Sequence, residues 1–245
     1  MERGRKPEKP KTPKEEDKVA PPIIPTDDDS SPADIIISAG KIGRYTVTGK
    51  DENNDSVIRL SANNKDYVCY CKKANPYDKV RKDLLKKCIT EDSFTGDDIF
   101  AVVYKEYRVP KLTVLRNILK HLIDLMETVS KMHSNKIVHA CLDENSIRIS
   151  RRKNGNPEAK IQNHTLLFKI GDSPDDVPAE ALTQGTAYDI ACIGAYIASA
   201  IEGKEGEAFE ELKSLAQEMS SEDPEARPTA QDVLARLKAI RREFA

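Results

Sequence analysis

The sequence predicts an α+β fold in which a small β-rich part precedes a larger helical part. Two observations carry this. Between residues 35 and 104, short runs of β-branched and aromatic residues recur, separated by Asn, Asp and Gly clusters such as Asp51-Glu52-Asn53-Asn54-Asp55, as in an antiparallel meander. After Pro110 the apolar period lengthens: Leu115, Ile118, Leu119, Leu122, Ile123, Met126, Val129 and His133 follow the i, i+3, i+4, i+7 spacing of a long amphipathic helix. Strands followed by helices, without alternation, belong to the α+β class.

Taken in order, residues 1–34 are expected to form a disordered tail. Seven prolines, from Pro7 to Pro32, lie among mixed charges with only Ile23-Ile24 to bury. Asp27-Asp28-Asp29-Ser30-Ser31-Pro32 suits a phosphorylation site or a plain solvated linker. Strands are expected at Ile35-Ile36-Ile37, Tyr45-Thr46-Val47, Ser56–Leu60, Tyr67–Cys71 and Ile99–Tyr104, with a helix from Asp78 to Cys88. The boundary between the two parts falls between Tyr104 and Pro110, giving units of 35–108 and 109–245. Beyond the long helix come two short strands, Ser146–Ile149 and Leu166–Ile170, with the turn signal Asn154-Gly155-Asn156 between them. Tyr188–Ile201 is small and apolar throughout, so it predicts a helix buried on all sides. Glu207–Met219 and Thr229–Phe244 read as amphipathic helices, the second with Thr229 as N-cap and Asp232 completing a capping box.

Composition narrows the function. The chain has 245 residues, 33% of them charged, yet its formal net charge is only -2, so no positive field favours nucleic acid or a membrane surface. No run reaches the roughly 18 apolar residues of a membrane span. Met1 to Lys6 is basic but leads into no apolar stretch, unlike a signal peptide. The five cysteines, Cys69, Cys71, Cys88, Cys141 and Cys192, contain no C-x-x-C pair, so they predict neither a disulfide framework nor a zinc site. Buried free thiols fit a reducing compartment, and the expected location is intracellular, in the cytoplasm.

Five segments then occur in a telling order: Met132–His139, Lys169-Ile170-Gly171-Asp172-Ser173-Pro174, Pro178-Ala179-Glu180, Asp189–Gly194, and Asp223-Pro224-Glu225-Ala226-Arg227-Pro228-Thr229. Together they resemble, over about 105 residues of the helical part, the C-terminal lobe of eukaryotic protein kinases: catalytic-loop entry, metal-binding Asp-Phe-Gly, Ala-Pro-Glu, central helix and the Asp-Pro-x-x-Arg-Pro-Thr segment. The resemblance implies a bilobal protein-kinase-like fold with a small β-rich N-lobe and a larger helical C-lobe. It also implies structural roles. Glu180 and Arg227 would form a buried ion pair, Asp189 would accept hydrogen bonds from the catalytic-loop backbone, and His139 would anchor that loop.

The positions that carry phosphoryl transfer in that family depart from its pattern. Gly49–Val57, between the first two strands, has one glycine and three acids where a Gly-rich loop would cover phosphates. His139-Ala140-Cys141 replaces His-Arg-Asp, so the base carboxylate is a thiol. Asp143 stands at the catalytic-loop lysine and Ser146 at the metal-binding Asn. Asp172 survives, followed by Ser173-Pro174 instead of Phe-Gly. From Asp172 to Glu180 is eight positions, against about twenty or more in the family, where this segment holds the activation loop. The phosphate-binding lysine is Lys72, with Asp83 as its acidic partner, or else Cys71 takes the pocket and Lys72 points to solvent, since one residue of register flips the strand. Cys141 is either reactive or, with only His139 near it in sequence, an inert buried thiol.

The expectation is a pseudokinase that binds a protein partner, with an active protein kinase as the natural candidate, and that acts as scaffold or allosteric regulator. No cofactor is expected. Two alternatives stay open: a divergent active kinase using Asp143 and Asp172, and a sensor that binds ATP and Mg²⁺ without turnover.

Overall fold

The computed structural model describes residues 30–52, 54, 56–86, 92–151 and 157–245. The tail to residue 29, Cys88 and the turn signal at 154–156 lie outside these.

The first element corrects an expectation. Ile35-Ile36-Ile37 belongs to a helix, α1 (Pro32–Ala39), and not to a strand, so ordered chain begins before the expected residue 35. Its boundaries are written in the sequence. Ser31 caps the N-terminus by accepting from the Asp34 amide, Pro32 occupies the first turn, and Gly40, at φ 67°, closes the other end. These signals outweigh the strand preference of three β-branched residues.

Six strands follow: β1 (Lys41–Ile42), β2 (Tyr45–Lys50), β3 (Val57–Ala62), β4 (Lys65–Lys73), β5 (Asp92–Thr95) and β6 (Ile99–Lys105), with helix α2 (Asp78–Leu85) between β4 and β5. They form one antiparallel sheet in the order β1-β2-β3-β4-β6-β5. The pleat sorts β4 by residue parity. Tyr67, Cys69 and Cys71 pack with Ala33 and Ile36 of α1, while Val68 and Tyr70 face the helical part. Lys72 therefore shares its face with Tyr70, and Cys71 is buried on the opposite one.

The second part contains α3 (Leu115–Ser134), β7 (Ile137–Val138), β8 (Ile147–Arg151), β9 (Pro157–Ile161), β10 (Phe168–Lys169), α4 (Ala179–Gln184), α5 (Thr186–Ala200), α6 (Glu207–Met219) and α7 (Ala230–Phe244). Strands β8 and β9 form a hairpin, and β10 pairs with β7. The strand expected over Leu166–Ile170 is reduced to β10, because a 3-10 turn takes up His164–Leu166. One core runs from the inner sheet face (Val57, Phe100, Val102, Tyr104) through α3 into α5, α6 and α7. Helix α5 is not buried all round as expected. Ile190, Ile193 and Ile197 face the core, whereas Ala195 and Ala198 are exposed, since a small apolar side chain costs little in contact with water. Gly194 permits a close crossing with α6, since a Cβ there would lie 2.9 Å from Met219 Cβ and 3.0 Å from the Ala216 carbonyl oxygen. Thr229 and Asp232 form the expected capping box of α7. Among the described residues no helix is long and apolar enough to cross a membrane.

Candidate functional site

Where the inner sheet face meets α2, four charged side chains close on one another. Lys72 Nζ lies 2.8 Å from Asp78 Oδ1 and 2.8 Å from Asp176 Oδ2. Arg81 donates from Nη1 to Asp78 Oδ1 (2.6 Å), from Nη1 and Nη2 to Asp176 (2.9 and 2.6 Å), and from Nε to the Leu167 carbonyl (3.0 Å). Two cations balance two anions, and the Asp78 and Arg81 side chains are fully buried. Helical spacing makes the cluster: Asp78 and Arg81 are three residues apart on the face of α2 that also buries Leu84 and Leu85. The backbone amide of Asn75 fixes the second oxygen of Asp78 at 2.7 Å. Burial raises the pKa of Asp176, but Arg81 and Lys72 reverse that and hold it below its ordinary value.

The expected alternatives for Lys72 both need correction. It neither meets Asp83 nor points freely into water. Asp83, one turn beyond, is exposed and paired with Lys86 at 2.6 Å. The acid that faces the sheet is Asp78, at the first turn of α2. Besides its two carboxylates, Lys72 Nζ donates to the Lys73 carbonyl at 3.2 Å and lies over the Phe100 ring. Its donors are spent inside the protein.

Two tyrosines of the inner sheet face bond to the helical part. The Tyr70 hydroxyl, reaching across from β4, donates to the Asn145 carbonyl oxygen at 2.8 Å and lies 3.4 Å from Gln162 Oε1. Tyr104 Oη accepts from the His164 amide (2.9 Å) and lies 2.6 Å from His164 Nδ1. Burial pushes the Tyr70 hydroxyl up to about 12, so it stays protonated and donating. Asp172 is engaged as well: Tyr77 Oη donates to its Oδ2 at 2.6 Å and itself accepts from the Lys169 amide.

The segment 139–146 is held from below by Asp189. This fully buried carboxylate accepts from the amides of His139 (2.8 Å) and Ala140 (2.9 Å) and contacts His133 Nε2 at 3.0 Å. The two amide bonds are those expected of Asp189. They secure Ala140 at φ 60°, a left-handed conformation that costs a side-chain-bearing residue about 1 kcal/mol or more. His139 Nδ1 accepts from the Cys141 amide, which leaves Nε2–H to donate to the Gln162 carbonyl oxygen at 3.1 Å.

All three chemistry-bearing positions in this segment make hydrogen bonds within the protein. Burial pushes the Cys141 thiol up to about 12, and its sulfur accepts from Asn163 Nδ2. Asp143 spends Oδ1 on the amides of Ser146 (2.7 Å) and Asn145 (2.9 Å), while Ser146 Oγ closes back on the Asp143 carbonyl oxygen (3.0 Å). Asp143 and Ser146 thus form a self-capped turn.

The expected Glu180–Arg227 ion pair is absent. Glu180, in the first turn of α4, is exposed. Arg227 instead donates to Gln184 Oε1 (2.7 Å) and to the carbonyl oxygens of Ala187 (3.0 Å) and Ser221 (2.8 Å). The helix turns Gln184, one turn on, toward the guanidinium and Glu180 away from it. Glu180→Ala should therefore change stability by less than about 0.5 kcal/mol, as for an unengaged surface residue. Arg227→Ala should cost about 1–3 kcal/mol by stranding three acceptors. Urea titration of both variants checks the contrast.

Asp78, Arg81, Asp176, Tyr70 and Tyr77 are the site residues that sequence reading missed. The i, i+3 spacing of Asp78 and Arg81 is the one signal of them in the sequence, and spacing alone does not tell a buried pair from an exposed one. Among the described residues no group of three or more His, Cys, Asp or Glu side chains is arranged to hold a metal ion. In comparisons with known proteins, no family model and no curated protein matches this chain.

Proposed function

We propose that this chain is a pseudokinase: a bilobal kinase-like fold that transfers no phosphate and acts by binding another protein, as scaffold or allosteric regulator. The observation that carries the reading is the closed cluster around Lys72. In active kinases the corresponding lysine pairs with a helix glutamate and with nucleotide phosphates. Here Asp78 and Asp176 already satisfy it, so phosphate would have to displace a buried carboxylate. Tyr70 adds to this by crossing the adjoining cleft to Asn145. Asp172 Oδ2 is tied to Tyr77 and Asp143 Oδ1 is turned into its own loop, which further disfavours their use for metal or proton transfer.

A scaffold that retains Asp189 and Arg227 in bonded structural positions while its chemical positions are closed keeps a shape without keeping turnover. Such a shape acts by differential affinity for a partner's conformations. An active protein kinase is the partner class that the resemblance favours. Radiolabelled phosphate incorporation into a generic protein substrate, with Mg²⁺ and Mn²⁺, tests the inactive half of the proposal. The expected incorporation is no greater than that of the Asp172→Ala variant. Transfer that disappears in Asp172→Ala would establish an active enzyme.

A further inference from the structure

We infer that a polar bridge with Gln162 as its keystone locks the β-rich and helical parts into one rigid body, so that the surface spanning both keeps a single shape. The chain crosses from one part to the other once, between the end of β6 at Lys105 and the start of α3 at Leu115. Two bodies joined by one crossing swing about it unless other contacts forbid the motion.

Here the crossing itself is stitched down. Arg108 and Ile149 of β8 exchange backbone hydrogen bonds at 3.3 and 2.8 Å. Gln162, just beyond β9, then reaches back to the sheet. Its Nε2 donates to the Lys105 carbonyl oxygen at 3.0 Å, and its Oε1 lies 3.4 Å from the Tyr70 hydroxyl. Its main chain is bonded on the helical side: the amide donates to the Ser146 carbonyl oxygen at 2.8 Å, and the carbonyl accepts from His139 Nε2 at 3.1 Å. The residue is only 1% exposed, so a lost partner is not replaced by bulk water and each bond counts in full.

More bonds follow along the length of the sheet. Lys105 pairs with Tyr67 and Phe100 with Lys72, which sets the two ends of this row about 17 Å apart at the rise of a strand. Between the ends, Tyr104 Oη accepts from the His164 amide and Tyr70 Oη donates to the Asn145 carbonyl oxygen. At the far end Lys72 meets Asp176. A row of contacts still permits rotation about its own line. Helix α2 blocks that rotation from outside the sheet, where Arg81 Nε donates to the Leu167 carbonyl oxygen at 3.0 Å and Tyr77 Oη to Asp172 at 2.6 Å. Contacts off one line fix the orientation of two bodies, and the apolar core continues between them from Phe100 and Val102 into α3. The consequence for binding rests on the pseudokinase reading: a partner meets a preformed composite face, and the conformational change on binding occurs in the partner.

The test is a set of residual dipolar couplings for the full chain, fitted separately to the amides of β2–β6 and to those of α3 and α5–α7. One alignment tensor, equal in magnitude and direction for both groups, is expected. Gln162→Met keeps the length of the side chain and removes its bonds to Lys105 and Tyr70. With Tyr70→Phe added, the couplings of the sheet should shrink relative to those of the helices and the single fit should be lost. Tyr70→Phe alone, which removes one oxygen, should show the same change in smaller measure, so the inference stays testable even if Gln162→Met does not fold. Two tensors in the parent, or one undiminished tensor in the Tyr70→Phe variants, would overturn the lock. Phosphate transfer by a parent with one tensor would instead end the pseudokinase reading and leave the lock standing.

Discussion

Arg81→Met is expected to destabilise the protein by about 3–5 kcal/mol, the range for removing one partner from a buried charge cluster. The substitution preserves much of the side chain's apolar volume, so the loss is electrostatic rather than a cavity effect. It removes one of the two cations that hold Asp78, which is fully buried, and deprives Asp176 of its bidentate partner and Leu167 of a donor. Lys72 alone cannot compensate, since its Nζ is already within 2.8 Å of both carboxylates. Lys72→Met should cost less, because Lys72 keeps 15% of its side chain in contact with water and Arg81 would still hold both acids. Urea midpoints of the two variants decide the matter. A loss below about 1 kcal/mol for Arg81→Met would mean that the cluster does not clamp α2 to the rest of the protein.

A second large effect is expected from mild acid. His121, His139 and His164 are all buried, and burial depresses each below the ordinary value of 6.5: His121 to about 4, His139 downward, and His164 well below it. Neighbours modulate this. Asp189 pulls His139 partly back, whereas His139 and His164, with ring centroids 4.9 Å apart, make a proton on either unfavourable for the other. With folded-state values depressed, the unfolded chain takes up protons first. The stability these histidines contribute is therefore complete above 6.5 and lost as pH falls below it, by up to about 1.4 kcal/mol per pH unit for each. Thermal unfolding at pH 7.5, 6.5, 5.5 and 4.5 should show a midpoint that drops steeply below 6.5, and His121→Gln should shallow the slope. A midpoint unchanged between pH 7.5 and 5 would contradict neutral burial. Asp176 acts in a separate window. Its depressed value means that its contribution is lost only as pH falls through and below the ordinary 3.8.

The helical part was the more legible in sequence, for physical reasons. The α3 stripe is a one-dimensional signal, repeated through five turns, and the residues that it marks from Ile118 to Val129 are buried in the structure, with Leu115 and His133 half-buried at its ends. The Thr229–Asp232 capping box depends on local chemistry, and the amide bonds of Asp189 are what the kinase resemblance implies for it, so they too could be anticipated. The errors share a different cause. Ile35–Ile37 has strand composition, but its conformation is decided by the flanking Ser31-Pro32 and Gly40. Position in a motif points to Glu180 and Asp83, whereas which face of a helix meets its partner depends on about one turn of offset, and the structure uses Gln184 and Asp78 instead. Asp176 could not be found at all, since it reaches Lys72 and Arg81 from a loop about a hundred residues further along the chain.

The central claim is that the cleft beside Lys72 is closed to nucleotide by the protein's own side chains. Thermal unfolding of the full chain with ATP, with and without Mg²⁺, tests it most directly. A ligand present at about a hundred times its Kd stabilises by about 2.7 kcal/mol and would raise the midpoint of a chain this size by roughly 5–10 °C. The closed cluster of Lys72, Asp78, Arg81 and Asp176, with Tyr70 bonded across the cleft, predicts no ATP-dependent rise under either condition. A saturable rise that vanishes in Lys72→Met would contradict it, and would show that Lys72 leaves Asp78 and Asp176 to bind phosphate.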